Sequence, residues 1–109
     1  MTSFAPAPAV AMPIAEPSAH EWVVIDVRSS AEFAGGHVSG AIHVPLDRLA
    51  TEIEQVAPNK HAPLMLYCAS GARSGMACNF LQQLGYRKIV NGCSAGAVAQ
   101  ELNRPIYRI

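Results

Sequence analysis

The chain has 109 residues, half of them apolar, and its eight basic residues balance its eight acidic ones; a chain of that size buries one core and forms one domain. No stretch concentrates Lys or Arg among aromatics, which argues against a nucleic-acid partner. Met1 to Ala15 is uncharged, but Pro6, Pro8 and Pro13 interrupt it and no basic residue precedes it, so it reads as neither a membrane span nor an intact secretion signal, and a soluble protein is expected.

Residues 1–20 are rich in Ala and Pro, lack periodicity and read as a flexible N-terminal arm, with the folded domain over 21–109. Trp22 to Val27 is a continuous β-branched run, the pattern of a parallel strand buried on both faces. Ser29 or Ser30 can cap a short helical turn through Phe33, which Gly35 and Gly36 stop. Ala41 to Val44 is a second strand, ended by Pro45. Leu46, Leu49, Ile53 and Val56 then recur at helical spacing, with Asp47, Arg48, Glu52 and Glu54 opposite, until Pro58.

Leu64 to Tyr67 is a third strand. A helix from about Arg73 to Leu84 presents Met76, Ala77, Phe80, Leu81 and Leu84 on one face, and Gly85 stops it. Arg87 to Val90 makes a fourth strand, and Ala95 to Leu102 a last helix before Pro105. Strands alternating with helices give an α/β fold with a parallel sheet and right-handed crossovers.

In such a sheet the site lies outside the carboxyl ends of the strands. One rim then gathers Asp26, Arg28, His43, Pro45, Cys68 and the segment Asn91 to Cys93. Within it, Cys68-Ala69-Ser70-Gly71-Ala72-Arg73-Ser74 joins a strand to a helix through small residues. An arc of backbone N–H groups and a helix N-terminus there can hold a thiolate, lowering its pKa below the free value of about 8.5. Asp26 and Arg28, two residues apart, suit a bracing role through charge-assisted hydrogen bonds that hold the neighbouring loop's N–H groups inward.

Other residues have plainer readings. Cys78, inside a helix beside Ala77, is a buried small hydrophobe. His37 and His43 suit turn and rim packing, because an ionised thiolate needs no general base. Trp22, Phe33 and Tyr67 are core. Three cysteines without C-x-x-C spacing suggest neither a disulfide framework nor a zinc site. No cofactor or metal is expected, and a cytoplasmic location is the simpler reading, with the periplasm as the alternative if a signal has been removed.

Val24-Ile25-Asp26-Val27-Arg28, Glu32-Phe33, Gly36-His37-Val38-Ser39-Gly40-Ala41-Ile42-His43-Val44-Pro45, Tyr67 to Ser74 and Leu84-Gly85-Tyr86, in that order, resemble a single-domain rhodanese. The resemblance covers about residues 21–91 and implies a rhodanese-like sheet of four to five parallel strands flanked by helices. It implies a sulfurtransferase in which Cys68 carries a persulfide. The donor would be thiosulfate or a persulfide, and the acceptor a thiol or cyanide. Ala69, Ser70, Gly71, Ala72, Arg73 and Ser74 would bind the substrate, with Arg73 orienting an anionic donor or tying down the loop. Asp26 and Arg28 would support that loop. Arg73 is five positions after Cys68, one fewer than related phosphatases need for a phosphate, so the cradle fits a single sulfur.

The alternative is a rhodanese-like module that binds a partner without catalysis, or one that uses Cys68 as a redox sensor. A sulfur-relay protein is a candidate partner, and a monomer or weak homodimer is expected. Three departures from the family pattern stand out, one of them the absence of the tryptophan often found shortly after the fourth strand. Arg73 is the only formal charge in the loop, which disfavours a dianionic donor. Gly92-Cys93 replaces the usual Gly-Gly pair after the fourth strand, and Cys93, if it lies near Cys68, could accept sulfur or form a protective disulfide.

Overall fold

The computed structural model describes residues 17–109; the arm expected over 1–20 lies outside the described residues for its first sixteen positions. Ala19–Glu21 form a 3-10 turn, and the Ala19 carbonyl accepts a hydrogen bond from Arg104 Nη2 at 2.9 Å. In chain order there follow β1 (Val23–Asp26), α1 (Ser30–Gly35), β2 (His37–Val38), β3 (Ile42–His43), α2 (Leu49–Val56), β4 (Pro63–Cys68), α3 (Ala72–Gln83), β5 (Lys88–Ser94), α4 (Ala95–Leu102) and β6 (Ile106–Tyr107).

Four strands form a wholly parallel sheet in the order β3-β1-β4-β5. Its apolar central strands are buried on both faces, as their unbroken hydrophobic runs require. On one face Ile25, Val27, Leu64, Leu66 and Cys68 pack with Leu49 and Ile53 of α2 and with Ala77, Cys78 and Leu81 of α3. On the other, Val24, Met65 and Tyr67 pack with Val98 and Leu102 of α4 and with Val38. The alternation of β1 and β4 side chains thus divides the core into two layers, one on each side of the sheet. All four strands point their carboxyl ends the same way, which collects the functional candidates on one rim.

Three elements differ from the sequence expectation. The helix expected from Leu46 opens as a 3-10 turn over Leu46–Arg48, and α-helical geometry starts at Leu49. The fourth strand runs on past Val90 to Ser94, because an irregularity keeps it paired: Leu66 lies opposite Asn91, but Tyr67 lies opposite Cys93. Gly92 is the extra residue, and such bulges re-aim the side chains beside them. Finally, β2 and β6 form a small antiparallel ribbon outside the main sheet, with His37 opposite Tyr107 and Val38 opposite Ile106. Two-residue strands carry no readable alternation, and this pair is defined only by tertiary contact. Among the described residues no helix is long and apolar enough to cross a membrane.

Candidate active site

β4 delivers Cys68 to its carboxyl end, and the chain turns through Ala69 and Ser70 to Gly71, whose φ of 104° lies in the left-handed region that favours glycine. From there α3 begins, on the same face of the sheet as the Cys68 side chain. The sulfur is held from two sides of this turn. Gly71 N donates to Cys68 Sγ at 3.0 Å, and Ser74 donates both its backbone N–H and its hydroxyl at 3.4 Å. Cys68 is 1% exposed and Ser74 is fully buried. Burial opposes ionisation of the thiol. Hydrogen bonds from the Ser74 hydroxyl and from the Ser74, Ser70 and Gly71 N–H groups outweigh it and lower the pKa to about 6. At neutral pH the thiolate therefore predominates.

Cys78, on α3 one turn after Ser74, illustrates the opposite balance. With burial and no compensating donor its thiol is pushed up to about 11. It is an inert core residue, as its place beside Ala77 indicates.

A side chain from the neighbouring strand sets the cradle's shape. Asn91 Nδ2 donates to the Gly71 carbonyl at 3.0 Å, while Asn91 Oδ1 accepts from Ser74 Oγ at 2.7 Å and from Cys93 N at 3.0 Å. One carboxamide thus clamps both ends of the turn that holds the sulfur. Sequence order puts Asn91 on the rim, but its role rests on contacts with Ser74 and Gly71, 17 and 20 residues away, which no local pattern records.

The Gly92-Cys93 pair has a steric explanation. A Cβ on Gly92 would collide with Val98 Cγ2 and lie 3.1 Å from Met65 Cγ and 3.3 Å from the Leu66 carbonyl. The next residue has a φ of 74°, where a second glycine would fit without cost and Cys93 is strained by about 1 kcal/mol or more. Cys93 is exposed, and its sulfur lies 3.5 Å from the position a Gly71 Cβ would take. Gly71, whose N–H faces Cys68, therefore stands beside both thiols. All three cysteines are free.

Arg73 and Arg28 are each tied to a carboxylate. Arg73 Nη1 and Nη2 donate to Glu32 Oε1 and Oε2 at 2.8 and 2.9 Å, joining the start of α3 to α1. Glu32 also caps α1: Ser29 N donates to Glu32 Oε1 at 3.0 Å and Glu32 N donates to Ser29 Oγ at 3.2 Å. The Arg73 hydrogen bonds, followed by that of the Ser29 backbone, lower the Glu32 pKa to about 2. The capping box is readable in the sequence, but the second use of Glu32 spans 41 residues and is not. Arg73 in this structure is therefore bonded to Glu32 of α1, with its charge also felt by Cys68.

Asp26, fully buried, receives Arg28 through a two-point pair, with Arg28 Nε and Nη2 donating at 3.0 and 2.8 Å and Arg28 N at 2.8 Å. The guanidinium lies 5.3 Å from the Tyr67 ring centroid and donates to the Gly36 carbonyl at 2.6 Å. The pair accordingly braces the turn after α1 from beneath the rim. No hydrogen bond joins it to residues 69–74 among the described residues, so the bracing expected of the cysteine loop falls instead on Asn91 and on the Arg73–Glu32 pair.

His37 and His43 pack on the rim as expected. They stack on either side of Phe33, with ring centroids 3.7 and 4.6 Å away, and bond to the Phe33 and Arg28 carbonyls. Phe33 is thereby a half-buried rim spacer rather than a core residue. Tyr67 is fully buried, and its hydroxyl accepts from Val38 N at 3.0 Å.

The family model described as "Rhodanese-like domain" matches residues 11–93. The thiosulfate sulfurtransferase PspE of Escherichia coli is 35% identical over 74 residues, 68% of this chain and 69% of that protein. A sulfurtransferase of Allochromatium vinosum is 33% identical over 63% of each chain. The structure titled "rhodanese with anions from E. coli" superposes with a TM-score of 0.73 at 30% identity, over 81% of this chain and 99% of that one.

Proposed function

The chain belongs to the rhodanese family, and from that premise we propose that it is a sulfurtransferase that carries sulfane sulfur as a persulfide on Cys68. The observation that carries the reading is the Cys68 sulfur held by three N–H or O–H donors from Gly71 and Ser74, which lower its pKa to about 6. The thiolate attacks the outer sulfur of thiosulfate or of a persulfide. The donor's S–S bond breaks, and the electron pair leaves with sulfite or with the donor thiolate. The outer sulfur of the resulting Cys68 persulfide is anionic, and the loop's N–H groups and the start of α3 stabilise it as they would an oxyanion.

A thiol, or cyanide in an assay, then takes that sulfur and restores the Cys68 thiolate. Two half-reactions at one cysteine give ping-pong kinetics. The shallow rim leaves room for a protein acceptor, consistent with a sulfur relay, and a monomer or weak homodimer suffices because the cradle is built from one chain.

The test is incubation with thiosulfate followed by intact mass. The wild type gains one sulfur atom, and Cys68→Ser gains none. If no sulfur donor adds mass while mild peroxide modifies Cys68, the protein is a redox-sensing module rather than a transferase.

A further inference from the structure

The arginines at the mouth of the site are each paired with a carboxylate, and this bears on which donors it accepts. Arg73, the only charged residue of the cysteine loop, has both terminal nitrogens engaged by Glu32. Arg28 is paired with Asp26 at 2.8 Å, and Arg48 with Glu52 at 3.5 Å. The shallow recess beside the loop is walled by Arg28, Arg73, Pro45, Leu46 and Asp47. Asp47 is exposed and has no ion pair among the described residues. Asp47 lines the recess itself, and Asp26 and Glu32 stand behind it against Arg28 and Arg73, so three carboxylates accompany two guanidinium groups. A dianion approaching this mouth meets a net negative set of charges; at the sulfur itself stand backbone N–H groups, the Ser74 hydroxyl and the Arg73 guanidinium, whose charge Glu32 already engages.

Resting on the sulfurtransferase reading above, we propose that Glu32 and Asp47 are specificity-determining residues that select donors of a single negative charge, such as thiosulfonates and hydropersulfides, over dianionic thiosulfate. The chemistry is balanced for either class. With a thiosulfonate, the Cys68 thiolate bonds the outer sulfur, the S–S bond breaks, and a sulfinate departs with its electron pair. One negative charge stays on the persulfide and one leaves, with no proton or oxidant required. Glu32 and Asp47 touch no reacting atom; they act through the potential at the mouth.

Thiosulfate and methanethiosulfonate separate the effect, since both present an outer sulfur on an oxidised sulfur and differ by one charge. The ratio of their kcat/KM values, compared between proteins, cancels their different intrinsic reactivity. In Glu32→Gln, where the amide oxygen can still cap α1, the thiosulfate to methanethiosulfonate ratio rises about three- to tenfold at low ionic strength. In Asp47→Asn, an exposed change that leaves every described ion pair intact, it rises about twofold, and added salt shrinks both effects. A ratio unchanged or lowered in Asp47→Asn, and in Glu32→Gln if that variant folds, overturns the proposal. Failure of both donors to add sulfur to wild-type Cys68 overturns the sulfurtransferase reading itself, a result distinct from an unchanged ratio.

Discussion

Ser74→Ala removes one hydroxyl and leaves the backbone N–H in place, so it isolates a single donor to the Cys68 sulfur. That hydroxyl has one proton and two acceptors, Asn91 Oδ1 at 2.7 Å and Cys68 Sγ at 3.4 Å. While Cys68 is a thiol the shorter bond to Asn91 prevails; once the thiolate forms, the negative sulfur competes for the proton. A hydrogen bond to a charged group contributes about 1.5–3 kcal/mol. Giving up the Asn91 bond offsets part of this, so the lower end applies. At about 1.4 kcal/mol per pH unit, the Cys68 pKa rises by about one unit, from about 6 in the wild type. Asn91 Oδ1 keeps the Cys93 N–H as a donor, so no buried acceptor is orphaned and the fold is little affected. Iodoacetamide labelling of Cys68 across pH, followed by mass in a Cys93→Ser background, locates the midpoint. Ser74→Thr restores it. An Ala midpoint coincident with that of the wild type would show that the hydroxyl serves Asn91 alone and that the backbone donors hold the thiolate.

The low pKa also makes stability depend on pH in a defined direction. Because the folded pKa of about 6 lies well below the free-thiol range of about 8.5–9, the folded state binds fewer protons between them, and stability rises with pH across that window. Relative to Cys68→Ala, the wild type therefore gains on the order of 3 kcal/mol from pH 6 to 9, measurable by urea unfolding, and a constant difference would contradict the shift. Gly92→Ala forces a methyl into Val98 of α4 and lowers stability by about 1–3 kcal/mol through overpacking, seen as a drop in the thermal midpoint. Arg28→Lys keeps the charge but loses the two-point pair with fully buried Asp26 and the bond to the Gly36 carbonyl. A loss of about 2 kcal/mol in denaturant unfolding is expected, whereas no change would mean that Arg28 is a solvated charge.

Much of the fold was legible because its elements are regular. The apolar runs of β1 and β4 are long enough to identify buried parallel strands, and Ala95–Leu102 formed a helix at the expected bounds. Of Ser29 and Ser30, the two caps the sequence allows, Ser29 is the one that caps α1, with Glu32 closing a capping box. The ribbon of β2 and β6 leaves no local signal because each strand has two residues and the partners are remote in sequence.

For the site, local sequence determined what a cysteine needs to become a thiolate. A strand end, a small-residue turn with Gly71 at positive φ and a helix start are all written within Tyr67 to Ser74, because backbone donors are supplied by whichever chain segment makes the turn. Tertiary structure alone decided how that turn is held and what charge it presents. Asn91 reaches it from β5, across the parallel pairing with β4, and Glu32 neutralises Arg73 from a helix 41 residues away. Hydrogen-bond donors of a loop are local properties of the chain, whereas the net charge at its mouth is a sum over every element the fold brings near it.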